Sequence, residues 1–126
     1  SARETRRVGL PGPLRTVFEG ASRVLFARVS PVIPDRYVAD GDCIEAPVGL
    51  KALHTPGHTP GHMSFYDTER RILFAGDSLR SFAGRMRPSF GANTDNEHQA
   101  QESAWRQLTL NPELILVGHG TPIWVR

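Results

Sequence analysis

Cysteine occurs once in this 126-residue chain, at Cys43. No internal disulfide can form, and such usage fits a reducing compartment, the cytoplasm being the expectation. As a single thiol Cys43 is expected to be a small buried or half-buried residue. Long apolar runs are also missing, so no segment reaches membrane-spanning length and no membrane partner is expected. The opening SARETRR leads into no apolar core of the kind a secretion signal needs. Lysine is nearly absent: 14 of the 15 basic residues are arginine, set against 13 acidic ones. The resulting net charge of +2 is too small to argue for nucleic acid, and no aromatic–basic stacking pattern supports it. Histidine does not occur before residue 54. The length suits one domain, taken as 1–126, with a real core.

What is present is concentrated. The stretch HTPGHTPGH, residues 54–62, sets three histidines four apart. That spacing would stack them on one helical face, but Pro56 and Pro60 would each remove a helical hydrogen bond. Gly57 and Gly61 favour sharp turns instead, so the segment reads as a tight, shaped loop.

Around it, residues 12–28 carry Leu14, Val17, Phe18, Ala21, Val24 and Leu25 at helical intervals. Residues 49–54 read as a strand entering the loop, and 62–67 and 70–76 as two antiparallel strands joined at Asp67–Glu69. Residues 76–93 have no clean period and read as a surface loop. Thr94 followed by Glu97 makes a capping-box start for a helix whose apolar side is Ala100, Ala104, Trp105 and Leu108. Asn111-Pro112 stops it, with His98 on its solvated side. A short buried strand, the turn Gly118-His119-Gly120 and a last extended piece close the chain. Helix, strands, helix, strand indicate the α/β or α+β class, with helices packed on a sheet.

Three loops follow predicted strand ends and can converge at one sheet edge, where sites tend to be built. They present His58, Asp77 and His119. A carboxylate such as Asp77 at the end of an apolar strand is costly to bury unpaired, and a cation removes that cost. Zinc accepts imidazole nitrogen and carboxylate oxygen together, and one carboxylate can bridge two metals. Each signal alone reads as a structural histidine or an ordinary Gly-Asp turn; it is the ordered combination that points to a metal site.

HTPGHTPGH, LFAGDSL and LVGHGTPI together resemble the metallo-β-lactamase-fold hydrolases, nearest the hydroxyacylglutathione hydrolase and lactonase-like branch. The resemblance covers nearly all of 12–124. It implies an αββα sandwich with a metal pair, usually zinc, with iron or manganese also compatible with the ligands. By the same resemblance His58 is a ligand of the first metal, Asp77 the bridging and catalytic carboxylate, and His119 a ligand of the second. His54 and His62 are expected to hydrogen-bond the ligand loop, with simple packing as the alternative reading. The family's upstream His-x-His-x-Asp-His motif does not occur in this chain. The resemblance therefore implies the second half of such a fold, an incomplete domain with too few ligands for two catalytic metals.

The implied reaction is hydrolysis of a small-molecule carbonyl compound, an ester, thioester or lactone, in which metals activate water and stabilise the developing oxyanion. Arg80, Arg85 and Arg87 follow Asp77 and could meet an anionic substrate, although a solvated loop is the plainer reading. The competing function is a non-catalytic half-fold that self-associates, two chains pairing as a homodimer through the stripe that includes Val17 and Leu25.

Overall fold

The computed structural model describes residues 33–45 and 49–125. The helix expected over 12–28, with Val17 and Leu25, lies outside the described residues. Tyr37–Arg126 forms one compact unit.

This unit is mixed α/β, as expected, with seven strands and one helix. The strands are β1 (Cys43–Ile44), β2 (Leu50–His54), β3 (Met63–Asp67), β4 (Ile72–Phe82), β5 (Arg85–Pro88), β6 (Leu114–His119) and β7 (Ile123–Trp124). Helix α1 is Glu97–Leu108. The sheet runs β1-β2-β3-β4-β6-β7, with β5 paired to the far end of β4. All neighbours are antiparallel except β4 and β6. That parallel pair needs a crossover, and α1 supplies it. Among the described residues no helix is long and apolar enough to cross a membrane.

Alternation along the strands sends Leu53, Tyr66, Leu73, Ala75 and Ile115 to the face that α1 covers, where Ala104 and Leu79 complete the core. Small residues at Ala100 and Ala104 let the helix come close to the sheet. The β3–β4 turn is built by Asp67, whose carboxylate accepts hydrogen bonds from the backbone of Glu69 (3.0 Å) and Arg70 (2.9 Å) and from Arg70 Nη1 (3.0 Å). Aspartate makes such local turns because its side chain can imitate a backbone acceptor.

Several local expectations change. The helix is capped by Asn96, which accepts from Gln99 N–H at 3.1 Å, and not by Thr94. Thr94 Oγ1 instead meets Ser89 Oγ at 2.7 Å, and the Glu97 carboxylate accepts from Gly91 N–H at 2.8 Å. Trp105 is 72% exposed, while the buried side of the helix is Ala100, Ser103, Ala104 and Gln107. Two polar residues on that side are matched to hydroxyl and carbonyl partners in the sheet and loop, so the apolar count misplaced the face. Cys43 is exposed on the short edge strand β1.

The largest change concerns residues 76–93. Strand β4 does not end at Gly76 but runs to Phe82 and turns back into β5. Inward positions there include Ser81 and outward ones include Phe82, which is 82% exposed. Polarity and burial are thus inverted at the hairpin tip, which hides the period of two.

Two outcomes test this architecture. Gly57, at φ 137°, packs so closely on α1 that a Cβ would overlap the backbone of Ala100. Gly57→Ala is expected to destabilise the fold by about 1–3 kcal/mol in denaturant titration; an unchanged midpoint would contradict this packing. Hydrogen bonds from Arg70 and Glu69 hold the Asp67 carboxyl below its usual range. A lowered folded-state pKa gives stability that is complete above the ordinary carboxylate range and is lost as pH falls through the depressed value. Melting curves should therefore show Asp67→Asn less stable than wild type near neutrality, with the gap closing towards acid; a pH-independent gap would exclude the ionised turn.

Candidate active site

The histidine loop, Thr55–His62, joins β2 to β3, and its backbone is held from α1. Ser103 Oγ donates to Pro56 O (2.7 Å) and Asn96 N–H to Gly57 O (2.9 Å). Arg106 Nη1 donates to His54 O (3.0 Å), and Arg106 Nη2 pairs with Asp40 at 2.7 Å. The Arg106 guanidinium, followed by the His54 N–H (2.7 Å), keeps the Asp40 carboxyl below its ordinary value. These bonds satisfy loop carbonyls that would otherwise depend on water.

Strand β4 meets this loop at Asp77. Against β6, β4 advances six residues from Phe74 to Arg80 while β6 advances only three, from Leu116 to His119. Such bulges bend a strand and re-aim a side chain. Gly118 on β6 makes room: a Cβ there would overlap Asp77 Oδ1.

The structure brings the three expected donors together. His58 Nε2 lies 3.7 Å from Asp77 Oδ2, and His119 Nε2 lies 3.3 Å from Asp77 Oδ1. His119 is the outer member, its side chain 72% exposed against 20% for His58. Asp77 Oδ1 is buried, yet among the described residues no donor is aligned to hydrogen-bond it, His119 included. Among the described residues no three His, Cys, Asp or Glu side chains surround a single metal position. The arrangement is a line, with one imidazole at each oxygen of one carboxylate. An orphaned buried oxygen and a cradle that a Cβ would fill suit the bridging portion of a two-metal centre. They do not complete either metal's coordination.

The supporting histidines have different surroundings. His62 Nε2 accepts the Asp77 backbone N–H at 3.1 Å, so Nδ1 carries the proton and donates to Thr55 Oγ1 at 2.8 Å. Burial, and then the neighbouring His58, holds His62 below the usual imidazole range. A neutral ring is what the acceptor role requires. Thr55 continues to Ser64 Oγ (2.9 Å), and Ser64 donates to Ala75 O (3.1 Å). Nearby, Gln107 Nε2 donates to Ser78 Oγ at 2.9 Å. His54 Nε2 is 2.8 Å from Pro60 O, within the loop itself. His98 sits exposed on α1, 3.6 Å from Glu102.

Ser89 was not anticipated. Its buried hydroxyl lies 3.2 Å from His58 Nδ1 and so turns Nε2 towards Asp77. A serine in an apparent surface loop carries no sign of this. Arg80, Arg85 and Arg87 line a cleft of about 920 Å³ together with Phe82, Phe90 and His119.

Comparison with known proteins shows the family and the fold. The family profile of the metallo-beta-lactamase superfamily matches residues 5–119. Hydroxyacylglutathione hydrolase GloC of Haemophilus influenzae is 31% identical over 106 residues, covering 82% of this chain and 49% of that protein. A solved metallo-beta-lactamase family protein from Thermus thermophilus superposes with a TM-score of 0.63 at 29% identity, covering 87% of this chain and 42% of the other. The TTHA1623 protein, solved in a di-iron-bound form, gives 0.60 at 30% identity, covering 94% and 59%. The chain spans 40–49% of the length of the first curated relatives it matches. With a carboxylate flanked by two imidazoles and a family match over residues 5–119, the chain belongs to the metallo-beta-lactamase superfamily.

Proposed function

We propose that this chain carries part of the catalytic centre of a metal-dependent hydrolase acting on a small carbonyl compound, an ester, thioester or lactone. The observation that carries the reading is Asp77: a carboxylate with an imidazole at each oxygen and Oδ1 buried without a hydrogen bond. The hydrolase name of the Haemophilus relative supports the same class.

His58 and Asp77 Oδ2 would hold one metal, and His119 and Asp77 Oδ1 the other. Zinc is the metal proposed; imidazole and carboxylate also suit iron, which the TTHA1623 protein holds as a pair. When bound, such a pair lowers the pKa of water and polarises a carbonyl. This chain's own residues hold the donors still. Ser89 and His62 fix ring and backbone, and Gly118 leaves the carboxylate its place. Three groups shared by two metals fall short of three protein ligands each, so tight binding draws on donors outside the described residues. The single exposed Cys43 supports a reducing compartment such as the cytoplasm.

A second reading is self-association without catalysis. It is favoured by Phe74, 37% exposed on the sheet face opposite α1 and in register with Phe65 and Leu116.

Native mass spectrometry in the presence of zinc separates the two. Wild type should take up metal, Asp77→Asn should lose both ions, and His58→Ala and His119→Ala one each. Gly118→Ala, which pushes a methyl group onto Asp77 Oδ1, should also lower uptake while the protein stays folded. Hydrolysis of thioester and lactone substrates should fall about 100-fold or more with each ligand lost. Equal metal uptake by wild type and Asp77→Asn would overturn the hydrolase reading, and a metal-free dimer would establish the second.

A further inference from the structure

The bulge in β4 interrupts the pairing that elsewhere satisfies the sheet backbone. Register with β3, β5 and β6 passes over Ala75, Asp77 and Ser78. Side chains and a loop reach the backbone there instead. Ala75 O accepts from Ser64 Oγ (3.1 Å) and Ser78 Oγ (2.9 Å), and Ser78 O accepts from Ser89 N–H (2.9 Å). Asp77 N–H donates to His62 Nε2 at 3.1 Å. Gly76 leaves the ring its approach, since a Cβ there would stand only 3.0 Å from His62 Nε2.

Behind the ring a file of polar groups crosses the core to α1. Thr55, Ser64, Ser78 and Gln107 are all buried, where an unpaired hydroxyl or amide is costly. Thr55 Oγ1 lies 2.8 Å from His62 Nδ1 and 2.9 Å from Ser64 Oγ. At the far end Gln107 Nε2 donates to Ser78 Oγ (2.9 Å) and to Ser103 O (3.0 Å). A hydroxyl has one proton to give, so the file has a direction. The His62 ring accepts at Nε2 and gives its Nδ1 proton to Thr55. Thr55 gives its own proton to Ser64, and Ser64 gives its to Ala75 O, which can only accept. In the reverse direction Thr55 would donate to Nδ1. The ring proton would then move to Nε2 and face the Asp77 N–H, donor against donor. Ser64 excludes that reversal by taking the Thr55 proton and passing its own to a carbonyl.

We propose that Thr55 and Ser64 are positioning residues of the site. By the direction of their hydroxyl protons they fix the tautomer of His62, and through it the backbone that aims the Asp77 carboxylate. The proposal rests on the hydrolytic reading only for its consequence, that the carboxylate so aimed joins two metals. Metal sites lose affinity when the groups that orient their ligands are removed. Gln107 anchors the file on α1, whose Ser103 also holds the Pro56 carbonyl, so one helix fixes both loop and bulge.

Nitrogen NMR of the imidazole rings, with amide hydrogen exchange, tests this on the full chain after chelation; zinc titration follows. Wild-type His62 is expected as the Nδ1–H tautomer, with a protected Asp77 amide. Ser64→Ala removes the acceptor of the Thr55 proton, so His62 should change to the Nε2–H form. Exchange at the Asp77 amide should then quicken about tenfold. Thr55→Val, which keeps the side-chain shape, should free the Asp77 amide likewise, whereas Thr55→Ser should preserve both tautomer and protection. Zinc affinity should fall about tenfold in Ser64→Ala and Thr55→Val and hold in Thr55→Ser. Melting curves establish that each variant is folded. An Nε2–H tautomer in wild type, or a folded Ser64→Ala with His62 and Asp77 unchanged, would overturn the proposal. A changed tautomer with wild-type zinc affinity would overturn it too, while leaving the hydrolase reading intact. The expected tautomer and exchange changes in a protein that takes up no zinc would keep the positioning of Asp77 and remove the hydrolase reading.

Discussion

The site depends on how helix α1 grips the backbone of the histidine loop. A segment with two prolines and two glycines makes few internal hydrogen bonds, and left to itself it would sample many shapes. Here its carbonyls are taken up in turn by Arg106, Ser103 and Asn96, and Gly57 is pressed against Ala100. The grip requires polar side chains on the buried side of a helix, which explains why Ser103 stands where an apolar residue would ordinarily pack. Local order in the loop is thus borrowed from an element more than thirty residues away.

A second constraint follows from the sheet. Asp77 belongs to a central strand whose other residues alternate between core and surface, and regular pleating would give its carboxylate no reason to meet both imidazoles. The bulged register against β6 breaks the alternation at this point, and the missing Cβ of Gly118 accepts the displaced side chain. His62 then pins the Asp77 backbone through its neutral ring nitrogen. A buried oxygen without a hydrogen bond is therefore held in place from three directions, and its cost is one that a cation can offset.

How much of this was legible in the sequence follows from which residues obey simple patterns. Strand β6 was readable because Leu114–Val117 run unbroken, β2 and β3 because short, mainly apolar segments lie between turn residues, and the histidine loop because proline and glycine exclude a helix. His58, Asp77 and His119, which the structure brings together, could be singled out from residue type and order. Ser89 and Thr55 were not, because a hydroxyl that orients a histidine looks the same in sequence as one facing solvent. Helix α1 was placed correctly, but its face was misjudged: Trp105 counted as core by hydropathy, whereas Gln107, which is fully buried, counted as surface. Hairpin β4–β5 was missed for the same reason, with Ser81 turned in and Phe82 turned out.

That inversion bears on function. An exposed phenylalanine and three arginines on one side of a hairpin make a poor folding pattern, since neither burial nor ion pairing among the described residues accounts for them. Sequences tend to break local rules where another requirement overrides stability. The violation begins immediately after the bulge that sets Asp77 and lies level with His119, so the same strand delivers the Asp77 carboxylate at one point and the Arg80 guanidinium three residues later. A strand carrying both fixes the distance between the two side chains more firmly than a mobile loop would.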